Sequence, residues 1–203
     1  MGRIFEALTP ALRSFVEAQH VFFVASAPLS GAGHVNLSPK GGDTFRVLDE
    51  RRVAYLDLTG SGIETVAHLR ENGRITIMFT ALEGAPLVVR LWGRGEGVLR
   101  DDGRFPALAA LFDGLPGTRA VIVVDVEAVG TSCGYGVPVY RHEAERTRLT
   151  DGLASKGPDG VAEYWAAKNT VSIDGLPGLF PVEEARDVIG TDDLQGLAQV
   201  GEA

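Results

Sequence analysis

The sequence predicts a mainly β fold with flanking helices, an α+β chain whose antiparallel strands follow one another in Greek-key fashion and wrap into a barrel. Three observations predict it. Strand-like runs are short and closely spaced, with Gly, Pro, Asn and Asp between them. The strongest run, Arg74 to Thr80, is parted from the next, Leu87 to Trp92, by little more than Glu83-Gly84-Ala85-Pro86, far too short for a parallel crossover. Only two helical stretches interrupt the strands before about Val139. Short strands joined by tight turns bury themselves best as a closed or sandwiched sheet.

The elements follow in order. Thr9-Pro10 supplies a cap and a first-turn proline for a helix to Gln19, with Leu12, Phe15 and Val16 on its apolar face. Val21 to Ala27 is a strand, and Pro28 to Gly33 a turn. His34 to Leu37 is the next strand, and Ser38-Pro39-Lys40-Gly41-Gly42 is expected to end its regular pairing. Phe45 to Leu48 is short, and Val53 to Leu58 alternates poorly, as a strand buried on both faces does. Ser61 and Glu64 have capping-box spacing for a helix closed by Asn72-Gly73. After Trp92, glycines 93, 95 and 97 imply a bend or a close backbone approach. Phe105 to Leu115 reads as a helix and Arg119 to Val129 as a long β-branched strand. Residues 1–139 thus form the barrel domain and 140–203 an extension packing on the barrel or on a partner subunit. In that extension Val161 to Lys168 is helical, Ser172 to Pro181 is rich in Gly and Pro, and the last twenty residues are acidic.

Composition bounds the function. The 203 residues carry 19 Lys+Arg against 27 Asp+Glu, a net charge of −8, which counts against a general nucleic-acid binder. With 45% hydrophobic and 23% charged residues the chain has the balance of a soluble globule. Cys133 is the only cysteine, so no disulfide forms within the chain. No apolar run approaches the ~18 residues of a membrane span, and Met1 to Glu6 lacks a secretory pattern. A cytoplasmic protein with no membrane and no nucleic-acid partner is expected.

Three places could carry chemistry. At Leu58-Thr59-Gly60-Ser61-Gly62-Ile63-Glu64-Thr65 a strand runs through glycines into a helix whose free amides form an anion site, with Thr59, Ser61 and Thr65 adding hydroxyls. Helix capping by Ser61 alone also accounts for this segment. It half-matches the dinucleotide fingerprint, but Thr65 replaces the third glycine and the helix leads into a hairpin, against a Rossmann unit. In Asn36 to Gly42, Lys40 at a strand end can meet a phosphate or a ring carbonyl. In Val88 to Trp92, Val88, Arg90 and Trp92 share one face, and an arginine there needs solvent, a carboxylate or a ligand. His20, His34, His68 and His142 show no metal spacing, so no metal is expected. Cys133 reads as a buried small residue near a bend, and Asp101-Asp102 and Asp192-Asp193 as solvated pairs. No catalytic residue is assigned.

The order of elements, with one strand ending in Lys40, one in Thr59, a helix to Asn72 and the Arg74 hairpin, resembles the pyridoxamine 5′-phosphate oxidase-like family from about Leu8 to Val129. Ala167 to Gly178 is similar to the tail of an uncharacterised branch. The resemblance implies the FMN-binding split β-barrel and a homodimer with FMN in a groove at the subunit interface. It implies that the strand with Ser38, Pro39 and Lys40 runs along the flavin, with Lys40 at the ring. Leu58, Thr59, Gly60, Ser61, Gly62 and Thr65 would surround the phosphate, Arg90 and Trp92 would come from a neighbouring strand, and Val88 replaces a side-chain amide. From its position after the barrel and its aromatic content, the region Gly134 to Gly178, with Tyr140, Trp165 and Asn169, is expected to cover the flavin from the partner subunit. Two departures stand out: Glu64-Thr65 occupies the place of a phosphate-clamping Arg-Lys pair, and Glu183 to Val188 offers no Arg-x-His substrate segment. The reading is an FMN-dependent oxidoreductase of unknown small-molecule substrate. The alternatives are a non-catalytic flavin or haem carrier and a deazaflavin-dependent reductase.

Overall fold

The computed structural model describes residues 2–179, so the expected acidic tail and the Glu183 to Val188 segment lie outside the described residues. The strands are β1 (Ile4–Phe5), β2 (Val21–Ser26), β3 (Asn36–Gly41), β4 (Phe45–Asp49), β5 (Arg52–Leu58), β6 (Arg74–Thr80), β7 (Val88–Leu99) and β8 (Thr118–Ser132). The helices are α1 (Pro10–Glu17), α2 (Glu64–Asn72), α3 (Phe105–Ala109) and α4 (Arg148–Lys168). One antiparallel sheet runs β3-β2-β6-β7-β8-β5-β4, with β1 paired to β8. It is a half-barrel of the split-barrel type with helices at its flanks. The uniformly antiparallel ladders exclude the Rossmann unit.

The apolar pattern explains the curvature. Val53 to Asp57 is buried at every position because β5 lies between two cores. Val53 and Tyr55 face the larger one, with Val16 of α1, Val66 and Leu69 of α2, and Phe22, Ile77, Phe79, Leu91 and Ile122 of the sheet. Ala54 and Leu56 face the smaller one, with Val98, Phe105, Phe112 and Val121. Phe22 sits 5.4–5.6 Å from the rings of Phe45, Tyr55 and Phe79, within the range where aromatic pairs attract. The predicted close approach of β7 is real: a Cβ on Gly93 would collide with the carbonyl of Asp125, beside the bulge at Trp92/Gly93. Gly95 and Gly97 bring the same strand against Leu69 and Val66 of α2.

Several boundaries differ from expectation, each for a physical reason. β3 does not stop at Leu37 but pairs with β2 through Pro39 and Lys40 to Gly41. It lies at the end of the sheet, where a proline's missing N–H removes no ladder bond. Ser61 does not cap α2. It is exposed, and the helix starts at Glu64 after Ile63 with no side-chain cap. The helix after Phe105 ends at Ala109, because Phe112 turns into the smaller core and Arg46 takes the carbonyl of Leu111 at 2.9 Å. The extension holds more helix than expected, since α4 begins at Arg148 and is broken at Gly157 (φ 67°) before Pro158. Cys133 is exposed rather than buried, since it follows the end of β8 and precedes the left-handed turn at Gly134 (φ 67°).

Candidate functional site

A cavity of about 1460 Å³ opens where the ends of β3 and β5 meet the segment that leads into α4. Pro39, Lys40, Leu58 and Thr59 line it, as do Thr80 at the end of β6 and residues 140–147. Four of the eleven residues singled out in the sequence are therefore brought together. Ser38, Gly60, Ser61, Gly62, Thr65, Arg90 and Trp92 are not among its walls.

Lys40 is fixed by a group the sequence reading missed. Its Nζ lies 3.3 Å from Oδ1 of Asp57, and the other carboxylate oxygen accepts from Arg119 Nε at 2.6 Å. The side chain of Asp57 is 1% exposed, that of Arg119 5% and that of Lys40 21%, so only the lysine reaches the cavity. Burial alone would raise the Asp57 pKa. The charges and hydrogen bonds of Arg119 and Lys40 outweigh it and hold the carboxyl below its ordinary value. Beneath, burial and then the Asp57 charge push the Tyr55 phenol well up. The signal for Asp57 was present, because a carboxylate inside the apolar run Val53 to Leu58 requires a buried cation.

The predicted anion site at the start of α2 is held by the chain's own groups. Thr59 Oγ1 donates to the Gly117 carbonyl and accepts from Trp165 Nε1, both at 2.7 Å. Arg119 donates to the Gly62 carbonyl at 2.8 Å and to Asn169 Oδ1 at 2.9 Å, and Asn169 Nδ2 donates to the Gly60 carbonyl at 3.1 Å. The Glu64 carboxylate lies against Gly62 and accepts from the Ile173 amide at 3.3 Å. Thr65 belongs to a different network, in which Asn36 donates to its hydroxyl at 3.1 Å. Arg90 donates to Ser132 Oγ at 3.1 Å, and the Trp92 ring lies against Gly130. Within the chain, Trp165 and Asn169 tie α4 and its C-terminal end to Thr59 and Gly60, just past the end of β5.

The site as a whole offers a fixed ammonium, apolar surface from Pro39 and Leu58, and the Thr80 hydroxyl, which is buried without a hydrogen-bond partner among the described residues. Arg141 and Arg146 add positive charge to its lining, and Asp43, Glu83, Glu143 and Glu145 add negative charge. Among the described residues no helix is long and apolar enough to cross a membrane.

Comparison with known proteins places this arrangement. The pyridoxamine 5′-phosphate oxidase family profile matches residues 8–133. The "Pyridoxamine 5'-phosphate oxidase family protein ustO" of Aspergillus flavus is 37% identical over 198 residues, spanning 88% of this chain and 78% of that protein. The chain belongs to the pyridoxamine 5′-phosphate oxidase family. Among solved structures, HupZ from Group A Streptococcus is 25% identical with a TM-score of 0.47, covering 60% of this chain and 91% of its own. The FAD binding protein of Mycobacterium smegmatis is 15% identical with a TM-score of 0.45, covering 62% and 97%.

Proposed function

We propose that the protein is a flavin-binding oxidoreductase that holds FMN in the 1460 Å³ cavity and acts on a small molecule. The observation that carries this reading is Lys40, held by buried Asp57 and projecting into a cavity large enough for the cofactor. The residues present fit the group. The cavity exceeds the ~300–1,000 Å³ of ordinary ligand pockets, and the unpartnered Thr80 hydroxyl is a polar atom that a ring carbonyl or nitrogen would satisfy.

Flavin, when bound, supplies the hydride or single-electron chemistry. The chain supplies orientation and charge. Lys40 would stand at the ring's carbonyl edge and offset negative charge gained there on reduction, while Asp57 keeps the ammonium from swinging to solvent. Pro39 and Leu58 would pack on the ring faces, and the segment 140–147 would exclude water. Because Thr59 is already engaged by Trp165 and Gly117, and Glu64 sits at the start of α2, the phosphate would be met by Arg141 and Arg146. The proposed assembly is a homodimer with the flavin at the subunit interface.

Purified protein should be yellow and release FMN on denaturation, or regain the two visible flavin bands on titration with FMN. Lys40→Met should weaken retention at least tenfold or lower the flavin potential. Colourless protein that ignores added FMN sinks the reading. A carrier role is the second reading, favoured by Glu64 in place of a basic residue. Turnover of NAD(P)H or oxygen by the flavin-loaded protein separates the two, and a deazaflavin titrated in place of FMN tests the third.

A further inference from the structure

His20 is remote in sequence from His142 and Glu145, yet the ligand atoms of all three lie within 4.8 Å of one another at the edge of the large cavity. His20 occupies the turn between α1 and β2, and the other two lie on the segment before α4. One nitrogen of each imidazole lies near the same carboxylate oxygen, His142 Nε2 at hydrogen-bond distance, 3.0 Å, and His20 Nδ1 at 3.7 Å from Glu145 Oε1. Packing does not demand this, because all three residues are exposed. Neither ring is used by the flavin reading.

We propose that these three residues form a binding site for a borderline divalent transition ion of the zinc class. Two imidazoles and a carboxylate are the donor set such ions favour over calcium or magnesium. Tetrahedral ligation with bonds of about 2.0–2.1 Å puts donors about 3.3 Å apart, so closure from 4.8 Å is a small movement. The two rings now stack at 3.8 Å with planes 6° apart, and parallel imidazoles cannot both aim a lone pair at one ion. Binding therefore turns one ring out of the stack, which exposed side chains do by a rotamer change. Three protein ligands leave a fourth position for water or for a molecule in the cavity. Glu83 and Glu143, which also line the cavity, favour a cation there, against Arg141 and Arg146. The ion would also tie the segment 140–147 to the turn before β2.

The test is calorimetric titration of the tag-free, metal-stripped full chain with Zn²⁺, and with Co²⁺ read by its visible ligand-field bands. One ion per chain is expected, with Co²⁺ bands of four-coordinate intensity. His20→Ala and Glu145→Gln should each weaken binding at least tenfold, while His34→Ala, whose ring pairs instead with Asp174, should leave it unchanged. Circular dichroism on each variant verifies folding, and the measurement needs no flavin, so it succeeds or fails independently of the flavin reading. Absence of saturable binding below millimolar metal, or affinity unchanged in the His20→Ala/His142→Ala double variant, overturns the proposal.

Discussion

Arg119 Nε meets Asp57 Oδ2 at 2.6 Å with both side chains almost wholly out of water, and this pair joins β5 and β8 to the start of α2 and the end of α4. A buried charge is tolerated only while its partners remain. Asp57→Asn leaves Arg119 uncompensated and should cost about 3–5 kcal/mol of stability in urea unfolding. Adding Arg119→Met to that variant should recover part of the loss, because both charges are then gone. A double variant no more stable than Asp57→Asn would show that the pair does not act as a unit.

Trp165 Nε1 is the link that seats α4 on Thr59. Trp165→Phe keeps most of the ring but removes the donor, and should cost about 1 kcal/mol. Thr59→Val should cost more, since it also abandons the Gly117 carbonyl at 2.7 Å. A double-mutant cycle over the two positions should show coupling, whereas strictly additive losses would mean the indole bond contributes nothing.

Gly93 and Gly136 differ in what a methyl group would meet. At Gly93 it collides with backbone of β8, which cannot swing aside, and at Gly136 it meets nothing within 4 Å. Gly93→Ala should therefore cost at least ~1–3 kcal/mol, and Gly136→Ala should stay within about 0.5 kcal/mol of the parent. Thermal unfolding of the two variants checks the contrast.

How much of this was legible before the structure follows from the range of each interaction. The Arg74 hairpin rests on neighbouring residues, while the doubly buried strand ending at Leu58 and the close approach of Gly93 to Asp125 are tertiary contacts that nonetheless leave a local mark, a continuous apolar run and a glycine on alternate positions. Family resemblance carried Lys40 to the cavity wall. Asp57 carried its own signal as a carboxylate in an apolar run, but its two cations come from residues 40 and 119, which nothing local to the run identifies. Ser61 misled for the converse reason: it has the spacing of a cap, but Arg119 and Asn169 direct the chain around it from afar. His20 and His142 looked unrelated because 122 positions separate them, and the path of residues 140–147 over the cavity is a tertiary matter.

His68 is wholly buried on α2, with Nδ1 at 2.9 Å from Ser26 Oγ and Nε2 without a partner among the described residues. Burial lowers its pKa below the ordinary 6.5, and the charges of Asp174, Glu64 and Glu71 only partly offset that. The unfolded chain therefore takes up this proton at a higher pH than the folded one does, so stability rises with pH across the window. The contribution of His68 is fully present above about pH 6.5 and is lost as pH falls toward the folded value, with a slope of at most ~1.4 kcal/mol per pH unit. His68→Gln keeps a polar side chain beside Ser26 but cannot titrate. Urea unfolding at several pH values between about 7.5 and 5 should show a flatter decline for the variant than for the parent, even if the variant is less stable throughout. Parallel lines would mean that the folded and unfolded chains take up this proton at the same pH, so that burial does not lower the His68 pKa.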